Sequence, residues 1–248
     1  MASPRNIIAF GATSAICTAL LRRYATVGAR LYLIGRSADK LEACADDLAA
    51  RGADVVGSSD YDFNDNARHT SALENAIAAL GEVDLVIVAH GSLPEQADCE
   101  QDDALVAACM DDNFTSAAVI MHAAARQLAQ QGRGTLAVIS SVAGDRGRKS
   151  NYTYGAAKAG LDAVAQGMQG RFNGTNIRVV NIKPGMVASP MTAHMDQGPL
   201  FASPEAIAPR MQRAIERGSR VVYVPGVWRY IMWVIRLLPT AVLARLPI

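Results

Sequence analysis

Seven short apolar runs recur along the chain, at 6–10, 30–34, 54–58, 85–89, 134–140, 177–182 and 221–224. The early ones are continuous rather than alternating, the pattern of strands covered on both faces. Segments of helical periodicity separate them. In "ADKLEACADDLAARG", Leu41, Cys44 and Leu48 mark one face and Gly52 follows the end. Strand–helix alternation over the whole length predicts an α/β fold, a doubly wound parallel sheet flanked by helices. No repeat, linker or low-complexity tract interrupts residues 1–248, so one domain is expected. Half the residues are apolar, enough for a large core.

Composition narrows the partners. A net charge of +1 gives no field that would draw the chain to nucleic acid. Cys17, Cys44, Cys99 and Cys109 have neither metal-ligand nor paired spacing, so no metal is expected and a reducing compartment suits them. The start lacks a basic segment followed by an apolar one, so the expectation is a cytoplasmic protein. In a doubly wound sheet, ligands sit beyond the carboxyl ends of the strands, so functional residues should follow the apolar runs.

"YTYGAAKAG" carries the first chemistry. Tyr154 and Lys158 are four apart and share a face on a helix. A nearby ammonium favours tyrosinate and would lower the phenol's pKa. Tyr152 has Ala156 at that spacing and cannot play the same part. Thirteen residues before Tyr154 stands Ser141, closing "TLAVISS", and twenty-eight before that stands Asn113 in "MDDNFTSA".

With this set the sequence resembles the short-chain dehydrogenase/reductase family, whose tetrad is Asn, Ser, Tyr and Lys at about these separations. The resemblance runs from Ile7 to the end and implies a Rossmann-type fold and a nicotinamide cofactor. Tyr154 would give its proton to a carbonyl oxygen as hydride reaches carbon. Ser141 would hydrogen-bond that oxygen, Lys158 would hold the nicotinamide ribose, and Asn113 would carry a water linking Lys158 to solvent.

The cofactor residues follow along the chain. "FGATSAICTAL" holds Gly11 for the tight turn, but Ala15 and Cys17 stand where the family has its other two glycines. Backbone at Thr13, Ser14, Ala15 and Ile16 would meet the pyrophosphate at a helix N-terminus. After the second run comes Gly35-Arg36-Ser37 with no acid. A guanidinium there would pair with a 2′-phosphate, which an acid would repel, so Arg36 and Ser37 predict NADP(H). Asp62 and Phe63 match the adenine-contacting position, with Asp60 as a competing alignment. Ala89-His90-Gly91 stands where the family has Asn-Ala-Gly, and the lost asparagine puts its cross-sheet hydrogen bond in question. His90 reads as a loop residue near the adenosine ribose rather than a catalytic one. "KPGMVAS" resembles the segment beside the nicotinamide. Pro184 and Gly185 would shape its turn, Val187 would bond the carboxamide through its backbone, and Ser189 stands where threonine is common.

"ASPMTAHMDQGPLFASPE" corresponds to the family's substrate lid, to which Met191, Met195, Leu200 and Phe201 would give an apolar inner surface. Ser203 and Pro204 then read as N-cap and first residue of a helix. The tail, 227–248, holds both tryptophans, many aliphatic residues, and Arg229, Arg236 and Arg245. Its apolar runs are too short to span a bilayer. Two readings fit: a peripheral helix at the inner face of the cell membrane, or a subunit interface in a dimer or tetramer.

Several stretches, "SSVAGDRGRKSNYTYGAAKAGLD" and the tail among them, are similar to the decaprenylphosphoryl-2-keto-ribose reductase branch. That resemblance implies an NADPH-dependent reductase of a keto sugar on a polyprenyl-phosphate carrier. A reductase of a soluble ketone or 3-oxoacyl thioester, and a catalytically silent NADP-binding sensor, are the alternatives.

Overall fold

The computed structural model describes residues 6–246. Seven parallel strands form one sheet: β1 Asn6–Phe10, β2 Arg30–Gly35, β3 Asp54–Asp60, β4 Leu85–Val88, β5 Gly134–Ile139, β6 Ile177–Pro184 and β7 Val221–Val224. Their order in the sheet is β3-β2-β1-β4-β5-β6-β7. Each lies on an expected run. β4 and β5 stop one residue earlier than expected, because Ala89 and Ser140 already belong to the loops above the sheet. β6 runs two residues further, to Pro184, which pairs with Val224.

The helices are α1 Ala15–Ala25, α2 Ala38–Ala50, α3 Arg68–Leu80, α4 Gln96–Cys99, α5 Asp103–Met110, α6 Ser116–Gln131, α7 Tyr152–Arg171, α8 Pro204–Arg217, α9 Trp228–Leu237 and α10 Thr240–Leu243. They bury two cores, one on each face of the sheet. Ile7 and Ala9 point to the face covered by Leu20 and Leu21 of α1, Leu41 and Leu48 of α2, and Met211 and Ile215 of α8. Ile8 and Phe10 point to the other face, under Leu73 of α3, Ile120 and Met121 of α6, and Leu161 and Met168 of α7. Two-residue alternation therefore exists in β1, but both faces are dry and the run reads as uniformly apolar.

β3 departs from that expectation. Asp54, Ser58 and Asp60 are exposed, because β3 is the sheet edge and α2 and α3 cover it only in part. α2 behaves as its pattern predicts, burying Leu41, Cys44 and Leu48. α8 starts as expected, with Pro204 at its first position and the Ser203 hydroxyl accepting from the Ala206 amide.

The chain reverses its winding direction between β1 and β4. The loops after these two strands therefore part above the sheet and open a crevice.

Candidate active site

Ser141 follows β5, and its Oγ accepts a 3.1 Å hydrogen bond from the Ala143 amide, which opens a 3₁₀ turn over Val142–Asp145. Tyr154 and Lys158 share one face of α7, with the Lys158 Nζ 5.5 Å from the centre of the Tyr154 ring. The Ser141 side chain is close enough to act on the Tyr154 hydroxyl and favour its ionised form. Asn113 lies in a single π-helical turn, Asp111–Thr115, between α5 and α6. Its Nδ2 donates to the Cys109 carbonyl at 2.9 Å and its Oδ1 accepts from the Ser92 amide at 3.2 Å, so the fully buried amide is held from both ends. Tyr152 faces outward and hydrogen-bonds Glu100. Asn113, Ser141, Tyr154 and Lys158 are thus brought to one place from α5–α6, β5 and α7.

The electrostatics differ from the expectation. The Tyr154 hydroxyl is pushed up to about 12, chiefly by burial; the Ser141 hydrogen bond and the Arg148 charge act in the opposite direction. Lys158 is lowered to about 8 by burial, with Asp162 working to raise it. Desolvation dominates at both positions, and both groups are held closer to their neutral forms.

Across the crevice, Gly11 has φ of +77°. A Cβ there would lie 2.7 Å from the His90 backbone nitrogen, so this first glycine cannot be replaced. The other two positions do not need glycine. No non-glycine residue among those described has positive φ, and Ala15 simply begins α1. Cys17 is buried between α1 and the sheet. Ser14 caps α1 by accepting from the Cys17 amide, while the first-turn amides of Ala15 and Ile16 have no intrahelical partner and face the loop. Thr13 precedes them in the same turn. Gly91 also allows close approach: a Cβ would lie 2.4 Å from Asn113 Oδ1 and 3.3 Å from the Lys158 Nζ.

At the far end of the crevice Arg36 is exposed and Ser37 half-buried, and Ser37 makes no side-chain cap bond to α2. Asp62 is exposed and accepts from the Asn64 amide. Phe63 is buried against the His90 ring, with centroids 4.4 Å apart. The cross-sheet link that the missing asparagine would make is supplied differently. His90 Nε2 bonds the Ser116 hydroxyl at 3.0 Å, Ser116 reaches His69 Nε2 at 3.3 Å, and His69 Nδ1 meets the Tyr61 hydroxyl at 2.8 Å. Burial, aided by the charge on Lys158, lowers His90 to about 3, so the chain is neutral.

This arrangement has relatives. The short chain dehydrogenase sequence profile matches residues 5–199. The chain belongs to the short-chain dehydrogenase family. An uncharacterised oxidoreductase of Mycobacterium tuberculosis is 37% identical over 241 residues, covering 97% of this chain and 96% of that one. One from Streptomyces coelicolor is 38% identical over 244 residues, covering 98% and 96%. Among solved structures, levodione reductase superposes with a TM-score of 0.81 at 21% identity, over 90% of this chain and 96% of the other. Actinorhodin polyketide ketoreductase with NADPH gives 0.79 at 19% identity, over 89% and 95%. At those identities the likeness is one of fold.

In this member of the family the turn after β6 is stitched by contacts the sequence did not announce. The Gly185 amide bonds the Val224 carbonyl, and the Trp228 indole occupies the space a Cβ on Gly185 would need. Val187 pairs with Ala202. Thr192 closes the turn, donating to the Val187 carbonyl at 2.6 Å and accepting from the Ser189 amide at 3.1 Å. Beyond it Met191, Met195 and Leu200 are exposed rather than turned inward, and Phe201 is half-buried. The apolar inner surface expected of this segment is therefore not formed here: its methionines and Leu200 face solvent, while His194 reaches Glu95 at 2.8 Å.

Beneath the site lies a buried polar cluster. Asp162, one turn after Lys158 on α7, accepts from Ser140 at 2.6 Å and from Asn181 at 2.7 Å, and its other oxygen meets the Lys183 ammonium at 2.6 Å. Lys183 is also paired with Asp145, which accepts from the Tyr223 hydroxyl at 2.8 Å. A four-residue offset from Lys158 was the one sequence signal for Asp162; Asp145 and Lys183 gave none.

Proposed function

We propose that the protein is an NADPH-dependent ketoreductase acting on a keto sugar carried by a polyprenyl phosphate, as the similarity to the decaprenylphosphoryl-2-keto-ribose reductase branch suggests. The observation that carries the reductase reading is the convergence of Ser141, Tyr154 and Lys158, with the Ser141 side chain acting on the Tyr154 hydroxyl and the Lys158 Nζ 5.5 Å from the ring centre. A phenol kept protonated by burial suits a proton donor. Ser141 would hold the carbonyl oxygen, Tyr154 would protonate it, Lys158 would hold the nicotinamide ribose, and Asn113 would position a water behind Lys158.

NADP(H) fits the crevice: Gly11 and Gly91 permit close backbone approach, the Ala15 and Ile16 amides are free for pyrophosphate, and Arg36 offers a guanidinium at the end of β2. When bound, it supplies the hydride. Asp62 and Phe63 would flank adenine, Ala89, His90 and Gly91 the adenosine ribose, and Pro184, Gly185, Val187 and Ser189 the nicotinamide. The actinorhodin ketoreductase, solved with NADPH, gives this reading a precedent on the same fold. Arg36→Asp is expected to move the NADP/NAD preference by about 10–100-fold toward NAD, the range for a lost charge-assisted pair. Unchanged kinetics with both dinucleotides would remove Arg36 from the 2′-phosphate.

Peripheral contact with the cytoplasmic face of a membrane completes the reading. α9 exposes Tyr230, Trp233, Val234 and Leu237, and residues 225–248 contain arginines but no acid. Flotation with liposomes containing anionic lipid should carry the full chain and leave a chain lacking 227–248 behind. A dimer or tetramer that loses its mass with the same truncation, without flotation, would assign the face to a second copy instead. The substrate itself is tested by NADPH oxidation over keto sugars and keto acids, free and lipid-linked; turnover confined to soluble 3-oxoacyl thioesters would replace the sugar reading.

A further inference from the structure

We propose that Arg148 is the subsite for an oxyanion, phosphate or carboxylate, carried by the ketone substrate. This deepens the ketoreductase reading and rests on it. Residues 144–151 run from the Ser141 turn to the start of α7, and a hydrogen bond from the Asn151 amide to the Arg148 carbonyl folds the loop back at the mouth of that helix. Arg148 thus stands six residues before Tyr154, on the loop joining the two groups that hold the carbonyl.

Among the described residues its guanidinium has nothing to bind. The Nε is shut off from solvent with no hydrogen-bond partner, and among the described residues no carboxylate lies within ion-pairing distance of it. The nearest acid acting on it, Asp145, is already engaged by Lys183 and Tyr223. Arg146, two residues earlier, behaves oppositely and spends its guanidinium on the Leu238 carbonyl and the Thr240 hydroxyl.

A partly desolvated arginine without a partner is costly unless a ligand repays it. Burial holds Arg148 below its ordinary range, and its charge acts on Tyr154. The planar fork of donors fits two oxygens of a phosphate or carboxylate. Close by, Val142 and Met186, which follow Ser141 and Gly185, pack with Trp228 into an apolar wall, leaving Arg148 to select charge.

The test compares matched ketones with NADPH: ribulose 5-phosphate against ribulose, and acetoacetate against methyl acetoacetate. The wild type should favour the charged member of at least one pair, and the pair favoured separates phosphate from carboxylate. Arg148→Met should cut the charged-to-neutral kcat/KM ratio about 10–100-fold, chiefly through KM, and Arg148→Lys should keep part of it. A ratio equal in wild type and Arg148→Met overturns the proposal, even if both rates fall together. Calorimetry of inorganic phosphate binding at saturating NADPH separates the two readings. Binding that is lost in Arg148→Met upholds the anion subsite even where no ketone is turned over; turnover without charge discrimination and without phosphate binding rejects the subsite while leaving the reductase standing.

Discussion

Tyr154→Phe is expected to lower ketone reduction by about 10³-fold or more while leaving NADPH affinity within a few fold, since general acid catalysis contributes roughly 10²–10⁴. The phenol hydroxyl is the only group removed. Its partner Ser141 keeps the Ala143 amide bond, and the ring keeps its place beside Lys158, so the fold and the crevice have no reason to change. Fluorescence titration with NADPH and single-turnover kinetics read the two quantities separately. Turnover within tenfold of wild type would assign the proton to another group. The wild-type pH profile adds a second mark. Burial lowers Lys158 to about 8 and pushes Tyr154 up to about 12. In the free protein the ammonium is therefore lost first, and kcat/KM for reduction should fall as pH rises past about 8 while the Tyr154 proton is still present. A fall that waits until far above that pH would show Lys158 to be less desolvated than its surroundings imply.

Much of this was legible because it is local. Helical spacing puts Tyr154 and Lys158 on one face, and it was Ser141 at the end of an apolar run, with Asn113, that made the pair stand out. The seven strands could be found because a parallel sheet buries both faces and so writes uninterrupted apolar runs. Where the sheet has an edge the strand is still found but its expected burial is not: β3 carries three exposed polar residues and runs on to Asp60. Asn113 was visible as a residue but not as a geometry: the π-helical turn that carries it has no composition of its own. The sign of the Tyr154 shift was missed for a related reason. Spacing reveals which charges are neighbours, but how far water is excluded depends on what the rest of the chain stacks over them. His90 is the clearest case. From sequence it marks a lost asparagine; in the fold it opens a buried relay through Ser116 to His69 and Tyr61, residues drawn from three other segments.

Lys183→Met should be the most damaging single substitution for stability, about 3–5 kcal/mol, the cost of breaking a buried ion pair from one side. For a chain of 248 residues that corresponds to a melting temperature lower by roughly 10 °C or more. Lys183 is buried and stands between Asp145 and Asp162. Methionine fills much of the same volume but removes the ammonium paired with both carboxylates, leaving Ser140, Asn181 and Tyr223 as side-chain donors to them among the described residues. Burial alone would lower the Lys183 ammonium, yet its two carboxylates more than reverse this and raise it above its ordinary range. A raised lysine stabilises the fold fully below its unfolded pKa and ceases to as pH rises through the folded one, so the gap between wild type and variant should narrow only in strong alkali. Adding Asp162→Asn to Lys183→Met removes one stranded charge and keeps an acceptor for Ser140 and Asn181, and should recover a large part of the loss. If the double variant melts no higher than the single one, the lysine acts through packing rather than charge. The consequence extends to the chemistry, because Ser140 precedes Ser141, Lys183 precedes Pro184, and Asp162 lies one turn beyond Lys158. The cluster ties together the three segments that carry the candidate site, and a variant that loses it should lose the register between Tyr154 and the Pro184 turn along with its stability.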